Sequence, residues 1–286
     1  MDLKLVECPR DAMQGIKEFI PTEVKADYIN SLLRVGFDTI DFGSFVSPKA
    51  IPQMQDTAAV LKLLDLQGSK SKLLAIVANL RGAQDACAFD EIGCLGFPFS
   101  VSEEFQKRNT NAGIEESLVR VEEIQSLCQK NKKTLVIYIS MGFGNPYGEP
   151  WNADIVIKWV RKIASLGIGI IALSDTVGVS NPANITHLFS KLIPEFPNLE
   201  LGAHLHSHPS SWEEKVESAF MSGCRRFDSA LKGIGGCPMA DDKLVGNLAT
   251  ENLVGFFEKL GIQTGLTASS FNLALNRSNE IFSRFL

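Results

Sequence analysis

The chain has 286 residues, 45% apolar and 21% charged, with a net charge of -5. That balance fits a soluble globular enzyme; it excludes a disordered or fibrous chain and offers nucleic acid or anionic lipid no general basic attraction. No apolar run is long enough to span a bilayer, and the six cysteines show neither C-x-x-C spacing nor the density of a disulfide framework, so reduced thiols in a cytoplasmic protein are expected.

In chain order, Met1-Asp2-Leu3-Lys4 has no presequence character and runs into the first strand-like segment. Short segments rich in β-branched residues fall at 3–8, 39–42, 73–77, 92–96, 135–140, 168–173, 199–206 and 226–230. Segments of helical period lie between and after them, at 22–35, 53–64, 82–89, 114–130, 152–166, 182–193, 211–222 and 250–260. Asn181-Pro182 is a helix start signal, and Leu166-Gly167 and Ser222-Gly223 are stop signals. Such alternation implies a parallel sheet with right-handed crossovers, and eight units close most simply into an α/β fold of the (β/α)8 TIM-barrel type. One domain over 1–286 is expected, with a helical extension from about 265 to 286 packed on the barrel.

A barrel of this kind carries its site where the strands end. The polar residues at those ends are Glu7, Arg10 and Asp11, then Asp41, Asn79, Ser140 and Asp175, then His204 and His206, and finally the loop Gly233-Ile234-Gly235-Gly236-Cys237-Pro238. Side chains two apart on a strand share a side, so His204 and His206 present two imidazoles together while Leu205 faces away. An H-x-H pair alone also suits a plain polar strand end. With Asp11 and Asn247, however, it makes a mixed nitrogen and oxygen shell suited to Mg²⁺ or Mn²⁺ rather than to a structural zinc. Each residue has a plainer use: Asp11 as a turn cap, Arg10 as an ion-pair partner, Asn247 as the cap of the helix at Thr250, Cys237 as an inert thiol. His187 falls in an outer helix and is read as structural.

Several motifs occur in order: Glu7-Cys8-Pro9-Arg10-Asp11-Ala12-Met13-Gln14, Ser44-Phe45-Val46-Ser47-Pro48-Lys49 with Pro52-Gln53-Met54, and Asp175-Thr176-Val177-Gly178. They continue with His204-Leu205-His206, Gly235-Gly236-Cys237-Pro238 and Gly246-Asn247-Leu248-Ala249-Thr250-Glu251. The ordered set resembles the 3-hydroxy-3-methylglutaryl-CoA lyase family, over nearly the whole chain. The resemblance implies a metal-dependent retro-Claisen cleavage giving acetyl-CoA and acetoacetate. It implies metal ligation by Asp11, His204, His206 and Asn247, stabilisation of the enolate-like oxygen by Arg10, and protonation of the carbanion by Cys237. It also implies acidic neighbours Asp175, Glu7 and Glu251, and a homodimer. The metal and guanidinium would supply charge where the enolate develops, and the glycines before Cys237 would let its loop close.

Some positions depart from the family pattern. Ala12 stands for a usual glycine, Asp41 for a longer glutamate, Ser207 for Asp or Asn, and Met141 and Asn145 for cysteines, with about one extra residue between Cys237 and Asn247. These bear on which 3-hydroxyacyl-CoA is cleaved more than on the metal. Lys49, Gln53, Arg108 and Asn109 are candidate CoA contacts, with solvated loop residues as the equal alternative. A condensing synthase or aldolase of the same superfamily, an H-x-H zinc hydrolase and a non-catalytic acyl-CoA-binding barrel stay open beside the lyase.

Overall fold

The computed structural model describes residues 2–236 and 245–286. Strands β1 (Lys4–Glu7), β2 (Thr39–Ser44), β3 (Lys72–Ile76), β4 (Ile92–Ser100), β5 (Thr134–Ser140), β6 (Ile170–Asp175), β7 (Glu200–Leu205) and β8 (Arg226–Ser229) close into a barrel in sequence order. All neighbours pair in parallel. The fold is therefore the expected TIM barrel. Around it run α1 (Pro9–Gln14), α2 (Thr22–Leu33), α3 (Thr57–Lys62), α4 (Leu80–Cys87), α5 (Glu103–Thr110) and α6 (Ile114–Lys130), followed by α7 (Ala153–Ala164), α8 (Pro182–Glu195), α9 (Trp212–Met221) and α10 (Thr250–Lys259). The C-terminal extension is α11 (Ala268–Phe285), whose Phe282 meets Tyr28 of α2 edge-on at 5.8 Å.

Asparagine side chains start three of these helices: Asn79, Asn152 and Asn181 accept from the backbone of Gly82, Ile155 and Asn184. Elsewhere the boundaries move for local reasons. Strand one stops at Glu7 because Pro9, with φ fixed and no N–H, begins α1 instead. The segment 53–64 divides into a 3₁₀ turn, Pro52–Met54, and the short α3. β4 passes through Pro98 to Ser100, beyond the expected end at 96. Its pairing with β3 ends at Gly96, so past that point the strand bonds to β5 alone and the missing N–H leaves no gap in a ladder. The helix α5 that follows has no counterpart among the expected elements.

The barrel interior is divided. Leu74, Cys94, Val136, Tyr138 and Ala172, from β3 to β6, form one buried apolar cluster. The β7–β8–β2 side instead carries buried or half-buried His204, Arg226, Asp228 and Asp41. The alternate strand residues, Leu5, Ile40, Leu95, Ile137, Leu173 and Phe227 among them, join the main core.

Glu7 ties the first strand to the last. Its carboxyl accepts from the Leu231 N–H at 2.8 Å and the Thr250 hydroxyl at 2.6 Å. Burial pushes it up from 4.5 to about 8; those hydrogen bonds oppose the rise and the Glu251 charge adds to it. Between these values the folded chain keeps a proton that the unfolded chain has lost. Its contribution to stability is thus complete below pH 4.5 and is lost as pH climbs to about 8. Glu7→Gln removes this titration, so its melting temperature is expected to decline less steeply across that range. Parallel curves for variant and parent would contradict the assignment.

Candidate active site

Arg10 and Asp11 lie in the first turn of α1, at the mouth of the barrel, and both are buried. The Arg10 guanidinium is held from two sides. Nε donates to Asp41 Oδ1 and Oδ2 at 3.2 and 3.0 Å, Nη2 makes a further bond to Asp41 Oδ2, and Nη1 donates to Asp11 Oδ1 at 2.9 Å. Burial raises the Asp41 carboxyl to about 6 even with Arg10 beside it. Burial would raise Asp11 too, but Arg10, His204, His206 and the Asn247 amide together bring it down to about 2. Gln14 adds a bond to Asp11 Oδ1 at 2.7 Å, and Asn247 Nδ2 donates to Asp11 Oδ2 at 2.6 Å and to Ile234 O at 3.0 Å.

β7 ends at Leu205, and His206 pairs instead with Asn247 in an isolated antiparallel bridge. That bridge brings the segment before α10 across the barrel mouth to Asp11. Gly235 permits the close approach: at φ +109° a Cβ there would stand 2.6 Å from Asn247 Nδ2 and 2.8 Å from Asp11 O.

The two imidazoles are held by their Nδ1 atoms. His204 Nδ1 lies 3.3 Å from Asp228 Oδ2, and His206 Nδ1 lies 3.0 Å from Thr176 O. Burial works to lower the His204 pKa, yet the Asp228 hydrogen bond and the charges of Asp228 and Asp11 raise it above the ordinary value. For His206, burial and the neighbouring imidazole prevail and lower it. With Nδ1 engaged, each Nε2 is left as a lone-pair donor. His206 Nε2 is buried with no hydrogen-bond partner among the described residues. Ligating atoms of Asp11, His204 and His206 lie within 4.8 Å of one another. A buried orphan nitrogen beside an ionised carboxylate fits a divalent cation, and the Asn247 side chain touches the same carboxylate through its Nδ2.

A cavity of about 400 Å³ opens over this group, walled by Arg10, Asp11, His204, His206, Tyr138 and the last turn of α5 with Arg108 and Asn109. Asp41, Asp175, Glu7 and Glu251 are not in its wall. Asp41 acts on Arg10. Asp175 spends its carboxylate on Val179 and Ser180 N–H groups, the Ser180 hydroxyl and the buried Lys215 ammonium at 3.0 Å. Glu7 holds Leu231 and Thr250, and Glu251 accepts from the Lys232 N–H at 3.0 Å. Of the candidate CoA contacts, Lys49 is exposed between the wall residues Ser47 and Ala50. Gln53 is buried and fully used by Ile16, Ile20 and Glu18 backbone groups. Cys237 lies outside the described residues.

Most of the departures from the motif pattern prove to be local backbone matters. Ala12 is helical, in α1. Met141 is buried at φ +55°, its N–H donating to Thr176 Oγ1 at 2.9 Å, and the Asn145 side chain folds its own loop by binding Tyr147 and Glu149 backbone. Ser207 N–H donates to Gly246 O at 3.0 Å, which continues the His206–Asn247 bridge. Asp228 and Lys215, which no motif names, support the site, and so does Gln14, which ends the first motif without a role assigned to it there. The signal for Asp228 was an acid inside an otherwise buried strand, in register with His204.

The family model described as HMGL-like matches residues 3–276. The cytoplasmic 3-hydroxy-3-methylglutaryl-CoA lyase of Rattus norvegicus is 34% identical over 92% of this chain and 76% of its own length. The mitochondrial hydroxymethylglutaryl-CoA lyase of Bos taurus is 36% identical over 92% of this chain and 81% of its own. Among solved structures, an HMG-CoA lyase from Acenitobacter baumannii in complex with coenzyme A and 3-methylmalate superposes with a TM-score of 0.91 at 30% identity, covering 99% of this chain and 92% of that one.

The donor geometry yields a direct test. Chelator-stripped protein titrated with Mn²⁺ in a calorimeter is expected to take up a single ion per chain, and Asp11→Ala or His206→Ala to lose measurable uptake while still melting cooperatively. Undiminished uptake by either variant would remove that residue from the shell.

Proposed function

The chain belongs to the HMGL-like family, and on that premise we infer that it is a carbon–carbon lyase cleaving 3-hydroxy-3-methylglutaryl-CoA, or a closely related 3-hydroxyacyl-CoA, to acetyl-CoA and acetoacetate. The observation that carries this reading is the meeting of Arg10, Asp11, His204 and His206 in the wall of one cavity, in a chain with these relatives. We take Asp11, His204, His206 and Asn247 as ligands of Mg²⁺ or Mn²⁺. A divalent ion held there would supply Lewis-acid charge that makes the substrate's hydroxyl proton easier to lose.

The protein's own groups do the rest. The C3 hydroxyl gives up its proton to solvent and its oxygen becomes the carbonyl of acetoacetate as the bond between C2 and C3 breaks. The electron pair of that bond moves to C2, the acetyl carbon, and the thioester oxygen gains enolate character. Arg10 faces that charge with a guanidinium already fixed by Asp41 and Asp11, so little reorganisation is needed at the moment of reaction. Cys237 is assigned as the acid that delivers a proton to the acetyl carbon, since a thiol titrates within reach of neutral pH. Arg108 and Asn109 are assigned to the CoA portion from their place in the wall. Asp175, Glu7 and Glu251 act as supports of the loops that carry the site. No described helix is long and apolar enough to cross a membrane, and a cytoplasmic homodimer completes the proposal.

Purified protein with Mg²⁺ or Mn²⁺ is expected to release acetoacetate from hydroxymethylglutaryl-CoA; a metal-loaded protein that releases none would overturn the substrate assignment. Cys237→Ala is expected to lower kcat by about 100-fold to 10,000-fold with metal uptake intact, and equal turnover would remove the thiol from the mechanism. Arg108→Ala is expected to raise KM for the acyl-CoA roughly tenfold with kcat little changed.

A further inference from the structure

His204 enters the cavity from β7, and the groups behind it take no part in the chemistry above. It is in register with Asp228 of β8, whose side chain is wholly buried and whose Oδ2 lies 3.3 Å from His204 Nδ1. The other oxygen, Oδ1, has no hydrogen-bond partner among the described residues and faces Arg226 Nε at 3.9 Å. Arg226 is only 1% exposed and lies against Gly202, where an added Cβ would stand 3.0 Å from its Cδ. Its Nη1 donates to Glu200 Oε1 at 3.0 Å, and Lys4 binds the other Glu200 oxygen. Charge therefore alternates down the barrel, from Asp11 past His204 to Asp228, Arg226, Glu200 and Lys4. The Tyr138 ring meets His204 edge-on, centroids 5.7 Å apart, and limits its rotation.

A buried carboxylate is costly unless neighbouring groups use its charge. We propose that Asp228 is a positioning residue of the metal centre: it accepts the hydrogen bond of His204 Nδ1–H, aims Nε2 toward Asp11 and His206, and makes His204 the stronger donor of the two imidazoles. This rests on the metal-centre reading above. Arg226 supplies the counter-charge behind Asp228. His206, whose Nδ1 is bound by the neutral carbonyl of Thr176, is the weaker donor.

The test compares metal-free parent and Asp228→Asn, titrated calorimetrically with Mn²⁺ and with Mg²⁺. Asparagine keeps the shape and removes the charge. Mn²⁺ affinity is expected to fall about 10-fold to 100-fold, and Mg²⁺ affinity less, because Mg²⁺ leans on oxygen ligands. Unchanged Mn²⁺ affinity overturns the proposal. So does an equal loss for both ions accompanied by a lower melting temperature, the mark of a purely structural acid. Should Asp228→Asn not fold, the parent decides. The chain has four histidines, and a proton–nitrogen correlation spectrum of the metal-free protein at alkaline pH, assigned with His204→Gln, is expected to place the His204 proton on Nδ1. A proton on Nε2 overturns the assignment. A parent that takes up neither ion is a separate result: it removes the metal-centre reading, and this inference with it.

Discussion

A guanidinium fixed between two carboxylates sets the terms for the mouth of this barrel. Arg10 cannot be buried beside β2 without Asp41, and Asp11 cannot keep its charge so far from water without Arg10. Breaking such a pair from one side costs roughly 3–5 kcal/mol, because the survivor is left buried and unpaired. The pair thereby fixes the entry angle of α1 against β2. Asn247 and Gln14 then orient Asp11, and the Asn247 bridge to His206 draws the approach to α10 over the same point. The candidate metal shell is thus assembled from α1, the end of β7 and the β8–α10 connection around the desolvated Arg10 guanidinium.

Much of this was legible in the sequence, and the parts that were not share a cause. Eight strand-like segments separated by helical periods define the barrel, since parallel strands demand crossovers of that length. His204 and His206 declare themselves by their spacing of two, and Arg10 and Asp11 by following a strand at once. What a linear reading does not supply is where each carboxylate points. Glu7 is an acid at a strand end like any other until the β1–β8 register turns it toward Leu231 and Thr250. Asp175 has the same sequence credentials, yet its oxygens close the β6–α8 loop on Lys215. Asp41, one methylene shorter than the glutamate of the family pattern, spends its carboxylate on Arg10.

Asp228 illustrates the opposite error. It lies inside a strand rather than after one, so a search of strand ends passes over it, although register places it beside His204. Buried acids within fully buried strands are informative for that reason: they persist only where a neighbouring group uses their charge. Gln53 marks the other limit, a residue inside a family-like motif whose side-chain oxygen and nitrogen serve the backbone of the turn before α2.

The division of the barrel interior separates two tasks. The ion pairs of Arg10 with Asp41 and Asp11, and of Asp228 with His204 and Arg226, lie on the β7–β8–β1–β2 side, while β3, β4 and β5 present Ile76, Pro98 and Tyr138 to the cavity over an apolar cluster. Ile76 and Pro98 on that second side can drift in volume and shape without touching an ion pair on the first, whereas Tyr138 also steadies His204. A lineage, or an engineer, altering the acyl chain accepted by this scaffold therefore has a wall to work on that is electrically silent toward the reacting bond.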